Sequence, residues 1–299
     1  MSAGVVSATG SARLASRIGR GETWRLLLLA PGATIILSLV IACLILLRFS
    51  FNTWDPVRTM TPDWTLQNYA ALLNDPSVFR AFVTTLRISV IVTVVCLLIG
   101  YPVAYAISRS PRRGLLTFLL VTPMLMDVLI RAYGWIIMFG HQGLVNKLMT
   151  TIGLWPGPRR LIFTELSVIL ELIHELIPFM VLPIANVLER VNPVYAEAAM
   201  NLRAGPVRTF LHVTLPLSFP GVAAGTLLTF ALAMSAFVAP LVLGGGNVVT
   251  MTVLMRQNMF TTLNWPLGSA QAIALVLIVI ALLVGYRRML GRSTGLGEQ

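Results

Sequence analysis

The sequence is poor in charged residues and in the residue types that most often carry out chemistry. Only 11% of its 299 residues are charged, whereas soluble domains carry about 25%. Hydrophobic residues make up 57% of the chain. This composition excludes an ordinary soluble domain and predicts an all-α protein that crosses a membrane several times. The net charge of +11 is then explained by basic loops at the membrane surface, and we expect no nucleic-acid partner.

Histidine, lysine and cysteine are too few to build the usual catalytic or metal sites. The three histidines are scattered, and the H-E pair at His174-Glu175 has no second histidine to complete a zinc-binding H-E-x-x-H motif. The single lysine, Lys147, lies outside any G-x-x-x-x-G-K-[ST] phosphate loop. Cys43 and Cys96 fall within apolar runs and are expected to be small buried side chains. We therefore predict a non-catalytic chain without a metal or cofactor of its own.

Six apolar segments are long enough to cross a bilayer, which requires about 20 residues in a helix. The first carries no signal-peptide cleavage pattern, so we expect it to be retained as a span. The spans are predicted at residues 26–47, 86–107, 161–188, 220–243 and 266–286, with the third of the six beginning near residue 114, running through Pro123 and interrupted in its outer part by Asp127 and Arg131. Together they form a permease-sized domain over residues 26–286, with polar tails at residues 1–25 and 287–299.

The arginine and lysine bias orients these spans. One side holds both termini, the loop after span two and the loop after span four, with 13 basic and 4 acidic residues. The rest of the chain has 9 basic and 7 acidic residues. The positive-inside rule therefore places both termini and the loop after span four in the cytoplasm.

The loop after span four has the pattern of a short helix on a rigid support. Asn192-Pro193 is a helix-start signal, and residues 195–202 then form the predicted helix. Gly205-Pro206 is expected to end it, and Leu215-Pro216 to close the unit before the membrane resumes. Such a helix between two spans suits docking against another protein. The alternative is a surface helix without a partner.

This loop resembles the EAA loop of ABC-importer permeases through Glu197-Ala198-Ala199 followed by Val213-x-Leu215-Pro216. The resemblance implies a type I ABC-importer permease fold whose coupling helix seats in a cleft of a cytoplasmic ATPase. Arg203 stands where the family usually has glycine. Within residues 189–217, the coupling residues that it implies are Tyr195, Glu197, Ala198, Ala199, Leu202, Arg203, Gly205, Leu215 and Pro216. Glu197 would orient and cap the helix, and the two alanines would keep it slim.

Five further elements resemble spermidine/putrescine-type permeases in their order and spacing. They are LQNYAALLNDP, GYPVAYAISR, LIRAYGW, LIPFMVLPI and NWPLGSA, and the resemblance extends from Trp64 to Tyr286. It implies a bacterial inner-membrane subunit that works by alternating access. Its implied partners are a second homologous permease in a heterodimer, two ATPase subunits that bind ATP and Mg²⁺, and an extracytoplasmic solute-binding protein.

Span four contains acidic residues at a depth where they are costly. Glu171 lies near the predicted midplane, where a carboxylate costs about 2.5 kcal/mol or more unless it is paired or hydrated. Glu171, His174 and Glu175 share one helix face. This face either lines the translocation path and favours a cationic substrate, or forms a structural network with Arg131. The candidate substrate-path residues are Asp127, Arg131, Tyr133, Trp135, Glu171, His174 and Glu175.

Residues of spans three and five also bear on the interpretation of this site. Asp127 and Arg131 are four residues apart and are expected to pair with each other. Tyr133 and Trp135 are expected to be interface anchors, although a cation is able to sit on either ring. Some polyamine permeases carry an acid late in span five, whereas residues 238–241 here are Val-Ala-Pro-Leu.

The function hypothesis is an importer for polyamines or a related organic cation. An opine or amino-acid-like solute is the alternative within the same class. The alternative from another class is a proton-coupled secondary carrier that uses the span-four carboxylates as a relay. It is disfavoured because such carriers commonly contain internal repeats, which this sequence lacks.

Overall fold

The computed structural model describes residues 31–293. Within them, five helices are long and apolar enough to cross a membrane, and a bent helix pair supplies a sixth span if it is counted as one. The first, α1 (Pro31–Phe49), is exposed along most of its length, so its apolar side chains face outward from the rest of the described chain. The predicted N-terminal tail and the first residues of span one lie outside the described residues.

The remaining elements follow in chain order. A short hairpin of β1 (Thr53–Asp55) and β2 (Thr59–Thr61) is antiparallel, with Trp54 opposite Met60. The helices are α2 (Gln67–Asn74), α3 (Pro76–Arg109), α4 (Arg113–Val121), α5 (Val128–Phe139), α6 (Leu144–Thr151), α7 (Glu165–Arg190), α8 (Val194–Asn201), α9 (Pro206–Thr209), α10 (Leu215–Ser235), α11 (Val238–Gly244), α12 (Met251–Arg256) and α13 (Trp265–Ser293). A 3₁₀ turn at Thr122–Leu125 and π turns at Phe210–Thr214 and Gln257–Thr261 complete the described chain.

The core is built from α3, α7 and α10, which pack against one another. Gly221 and Gly225 bring α10 against the backbone of α7, because a Cβ atom at Gly221 would lie 2.9 Å from the Pro183 carbonyl oxygen. One at Gly225 would lie 2.9 Å from the Met180 carbonyl oxygen. Small residues at such spacing allow helix backbones to approach closely in a membrane. The Gly221-x-x-x-Gly225 spacing therefore allows the close packing of α10 on α7.

The span boundaries differ from the expected ones where proline or a capping residue intervenes. Span two is longer than expected, since α3 begins at Pro76, where the Asp75 carboxylate accepts a hydrogen bond from the Ser77 backbone N–H at 2.8 Å. Asp75 also accepts a hydrogen bond from the Ser77 hydroxyl, and both bonds hold the pKa of this carboxyl below its ordinary value. The last apolar span, Trp265–Tyr286, agrees with the expected one, and its helix α13 continues beyond it to Ser293.

Span five was expected to run unbroken through residue 243, and that expectation is wrong. α10 ends at Ser235, and α11 starts at Val238. A continuous helix would need an N–H at position 240 to bond the carbonyl of Ala236, but Pro240 has none and its ring would clash there. The Thr252 hydroxyl donates to that carbonyl at 2.7 Å instead. The break therefore has a local cause and a local hydrogen-bond replacement.

The third span is bent. The helical stretches at Arg113–Leu125 and Val128–Thr151 meet at 90°. Asp127 begins the second stretch by accepting hydrogen bonds from the backbone N–H groups of Leu129, at 2.9 Å, and Ile130, at 3.4 Å. The bend carries α5 across the side of α7 and α11, and this placement creates the site described next.

Candidate functional site

A buried ion cluster joins α5 to α7. The Nε of Arg131 donates to Glu171 Oε1 at 3.1 Å, and its Nη2 lies 3.0 Å from Glu175 Oε1. Its Nη1 donates to the carbonyl oxygen of Pro123 at 3.3 Å, within the 3₁₀ turn of the bent span. One guanidinium therefore connects two carboxylates of α7 to the bend between α4 and α5. We call these three side chains, Arg131, Glu171 and Glu175, the ion cluster.

The two carboxylates of the ion cluster differ in exposure. The Glu171 side chain is 0% exposed, whereas the Glu175 side chain is 31% exposed. Glu171 Oε2 has no hydrogen-bond partner within residues 31–293. The cluster thus has one fully enclosed contact and one contact at the edge of open space. A buried ion pair needs good geometry and extra hydrogen bonds to offset desolvation, and the Pro123 carbonyl supplies one of them.

The expected pairing of Asp127 with Arg131 is wrong. The Asp127 carboxylate turns toward the first backbone N–H groups of α5 and caps the helix, while Arg131 points from the buried face of α5 toward α7. Helix capping satisfies N–H groups that have no partner inside the helix. The competing capping role therefore removes Asp127 from the ion pair, and the structural network with Arg131 that the sequence left open is present.

The two aromatic candidates, Trp135 and Tyr133, lie in different surroundings. The Trp135 ring packs on Phe139, with ring centroids 4.8 Å apart, and meets the His174 ring edge-on at 5.9 Å. Nδ1 of His174 is buried without a hydrogen-bond partner within the described residues. Tyr133 lies on an exposed face of α5. Trp135 and His174 are therefore neighbours of the ion cluster, whereas Tyr133 faces outward from it.

A pocket of about 250 Å³ opens beside the ion cluster, between α5, α7 and the break that separates α10 from α11. Its lining is apolar except for one carboxylate, Glu175. The lining residues are Val128, Leu172, Glu175, Leu176, Phe179, Leu232, Ala236, Phe237, Val238 and Ala239. Sequence reasoning missed the wall formed by residues 236–239, although Pro240 was the available signal for a helix break there.

The loop after span four forms a separate candidate site. Asn192 Oδ1 accepts a hydrogen bond from the Val194 backbone N–H at 3.0 Å, so the expected helix start is confirmed and α8 begins one residue earlier than predicted. Glu197 lies in the first turn of α8 and is exposed, as is Ala198. Large apolar side chains on and beside α8 are exposed: Val194, Tyr195, Met200, Leu202 and Val207. Large exposed apolar side chains so close together make this helix a candidate interaction surface.

The loop does not end at Leu215-Pro216 as expected. One helix runs continuously over Pro206–Ser235, with the π turn at Phe210–Thr214 inside it. The backbone N–H of Leu215 bonds the Phe210 carbonyl, five residues earlier. Since Pro216 has no N–H for the carbonyl of His212, the wider turn lies where the regular pattern is interrupted. Gly205 precedes this helix with an extended backbone.

Arg203 takes the turn that glycine usually makes. Its φ is 62°, in the left-handed region. The Arg203 N–H bonds the Met200 carbonyl at 2.9 Å, and the Ala204 N–H bonds the Ala199 carbonyl at 3.1 Å. These two bonds form a Schellman motif that closes α8. The substitution of Arg for the usual glycine therefore leaves the turn geometry intact, at the cost of a left-handed non-glycine residue.

Replacing Arg203 by glycine is expected to stabilise this turn by about 1 kcal/mol, because glycine reaches the left-handed region without a Cβ penalty. Hydrogen exchange of the Ala204 amide, in purified Arg203→Gly protein and in the native chain, measures the change. Slower exchange in the variant is expected. Replacing Gly205, which has an ordinary φ of −66°, by alanine is the matched control and should leave this amide unchanged. Faster exchange in Arg203→Gly would contradict the interpretation.

Comparison with known proteins agrees with this architecture. Residues 96–293, more than half of the chain, match the family described as "Binding-protein-dependent transport system inner membrane component". The chain is 36% identical over 256 residues to the spermidine/putrescine transport system permease protein PotB of Haemophilus influenzae, with 85% of this chain and 89% of that protein covered. PotB of Escherichia coli K12 is 33% identical over 256 residues, with 85% and 93% covered.

Two further comparisons concern the class and the fold. The inner membrane ABC transporter permease protein YdcU of Escherichia coli K12 is 30% identical over 264 residues, with 83% of each chain covered. The crystal structure of a bacterial ABC transporter that imports the acidic polysaccharide alginate matches with a TM-score of 0.78 at 16% identity. That match covers 96% of this chain and 100% of the other, and it shows the type I permease fold. The chain therefore belongs to the family of inner membrane components of binding-protein-dependent transport systems, as a multi-pass, non-catalytic permease subunit of an ABC importer.

Proposed function

We propose that this permease imports polyamines such as putrescine and spermidine, or a related organic cation. The observation that carries the proposal is the pocket beside the ion cluster, whose apolar wall contains the Glu175 carboxylate. A polyamine alternates methylene groups with ammonium groups, so it needs apolar contact and a carboxylate in the same space. The curated names of the PotB relatives, which are spermidine/putrescine permeases, support the same substrate class.

The partners follow from the importer class. A permease of this class works with a separate ATPase and with a solute-binding protein. In our proposal the permease pairs with a second, homologous permease, and two ATPase subunits bind the ATP and Mg²⁺. Both termini and α8 lie in the cytoplasm, where α8 seats in the ATPase. Closure of the ATPase dimer moves α8, opens the pocket to the outside and lets the binding protein release its solute there.

The alternative substrate is an opine or amino-acid-like solute, whose carboxylate would seek a cation. Arg131 is the cation in contact with the pocket carboxylate Glu175, and its Nε and Nη2 already face Glu171 and Glu175. Since the charged group that lines the pocket is the Glu175 carboxylate, the pocket favours a cationic solute. A proton-coupled carrier is the remaining alternative, and the family membership argues against it.

The test is uptake of labelled putrescine and spermidine by cells that lack this gene and are re-supplied with the native chain, Glu175→Gln or Glu171→Gln. We expect the native chain to restore uptake. Glu175→Gln should reduce uptake by about tenfold or more, the equivalent of about 1.4 kcal/mol, because its carboxylate faces the pocket. Native uptake must also require the ATPase partner and survive a proton uncoupler.

Two outcomes would overturn the proposal. No gene-dependent uptake of either amine would remove the substrate class and leave the importer. Uptake by Glu175→Gln equal to that of the native chain would remove Glu175 from the path. Glu171→Gln is the comparison variant, because it also removes one carboxylate from α7 but in the enclosed part of the ion cluster. Comparing uptake by the two variants separates the effect of charge at the pocket from the effect of charge in the enclosed part.

A further inference from the structure

We infer that Arg131 is a specificity-determining residue: it acts as an internal counter-ion that the transported ammonium group must replace at Glu175. The inference rests on the proposed function, because it assigns a competitor to the cation that the pocket is proposed to receive. It concerns a contact between two side chains of this chain, 3.0 Å long, that occupies the carboxylate lining the pocket.

The geometry shows which of the two contacts is replaceable. The contact from Arg131 to Glu171 is enclosed, since the Glu171 side chain is 0% exposed. The contact to Glu175 lies at the pocket, where this side chain is 31% exposed. A solute that enters the pocket therefore reaches Glu175 and not Glu171. Substrate and Nη2 of Arg131 compete for one carboxylate, while Nε keeps its enclosed partner.

The charges of the ion cluster favour a second cation. Two carboxylates share one guanidinium, and Glu171 Oε2 has no hydrogen-bond partner within residues 31–293. Burying carboxylates without full compensation is costly. An ammonium group at Glu175 would supply the missing positive charge and let the guanidinium turn more fully toward Glu171. A neutral solute of the same shape supplies no charge and leaves the Arg131 contact in place.

The Arg131 guanidinium has a third hydrogen-bond partner besides the two carboxylates. Its Nη1 donates to the Pro123 carbonyl at the bend of the third span, at 3.3 Å. After Nη2 leaves Glu175, the guanidinium still has Glu171 and Pro123 as partners. The exchange therefore requires a small rotation of one group, without exposing an unpaired guanidinium to the apolar surroundings.

The experiment uses the assembled transporter in lipid nanodiscs without its binding protein, and it measures the free putrescine concentration that half-maximally stimulates ATP hydrolysis. The double variant Arg131→Met/Glu171→Gln removes the enclosed pair together and leaves Glu175 without its internal cation. Removing both partners avoids a single unpaired buried charge. If Arg131 occupies Glu175 for about nine-tenths of the time, the required concentration falls about tenfold in this variant.

Controls separate competition from a general change in the transporter. Glu175→Gln should abolish stimulation by putrescine, and 1,4-butanediol, the neutral analogue of the same length, should stimulate none of the proteins. Arg131→Lys keeps a charge but offers a single ammonium for both carboxylates. It should shift the required concentration in the same direction by about threefold, and it decides the question if the double variant fails to insert.

An unchanged or higher putrescine requirement in both Arg131 variants would overturn the inference. Stimulation by butanediol would do the same, because it would show that charge is not what is recognised. Failure of the proposed function is seen separately, as absence of putrescine uptake by cells that carry the native chain. If the native chain takes up putrescine but the Arg131 variants require the same putrescine concentration as the native chain, only the competitor role of Arg131 is removed.

Discussion

Replacing Gly225 by leucine is expected to prevent the core of three packed helices from forming. The first atom of the new side chain would meet the Met180 carbonyl oxygen at 2.9 Å and the Met180 Sδ atom at 3.1 Å. The carbonyl belongs to the backbone of α7 and has little freedom to move. Inserting one or two methylene groups into a packed core costs about 1–3 kcal/mol, and a whole leucine at a backbone contact exceeds that range.

The measurement is the thermal unfolding midpoint of the purified permease in detergent, together with its abundance in membranes. The matched control is Gly285→Leu on α13, where a Cβ atom would meet nothing within 4 Å. We expect near-native stability for the control and loss of folded protein for Gly225→Leu. Equal stability of the two variants would show that α7 and α10 do not depend on this approach.

Enlarging the coupling helix is expected to disconnect ATP hydrolysis from transport while leaving insertion intact. Ala198 is exposed on α8, beside the exposed side chains of Tyr195 and Leu202. Ala198→Trp therefore causes no clash inside the permease, but it thickens the surface proposed to enter the ATPase. Glu197→Arg reverses a charge on the same helix. Either change should lower transport by about tenfold or more, the equivalent of about 1.4 kcal/mol at the interface.

The readouts are uptake and co-purification of the ATPase with the permease. Ala71→Trp on α2 is the matched control, since this alanine is also exposed on an eight-residue helix. It should leave co-purification unchanged, and all three proteins should reach native abundance in the membrane. Native uptake by both α8 variants would remove the docking role of this helix.

Much of the span arrangement was predictable from sequence because it depends on local properties. Long apolar runs predicted the spans, and Asn192-Pro193 predicted the start of α8, since a cap is a contact between near neighbours in the chain. The break before α11 also has a local cause, Pro240, but the sequence analysis did not predict it. Its consequence, a pocket wall at residues 236–239, required knowledge of which helices lie opposite.

The ion cluster was predictable only in part. Residue spacing indicated two alternative partners for Arg131: Asp127, four residues away, and the carboxylates of span four. Spacing alone does not show which of these pairings forms. The bend at the third span decided the matter, because Asp127 caps α5 and the bend turns Arg131 toward Glu171 and Glu175. Pairings between segments 40 residues apart depend on helix packing, which a single sequence does not state.

The continuous helix over Pro206–Ser235 connects the region of α8 directly to the pocket. At 1.5 Å per residue its 30 residues form a rod of about 45 Å. One end adjoins α8, and the other carries Leu232, a wall residue of the pocket. In the docking role proposed for α8, a displacement of α8 would therefore reach the pocket along a single helix. The π turn at Phe210–Thr214 lies near the α8 end of this helix, and the helix ends at the break before α11 that forms one wall of the pocket.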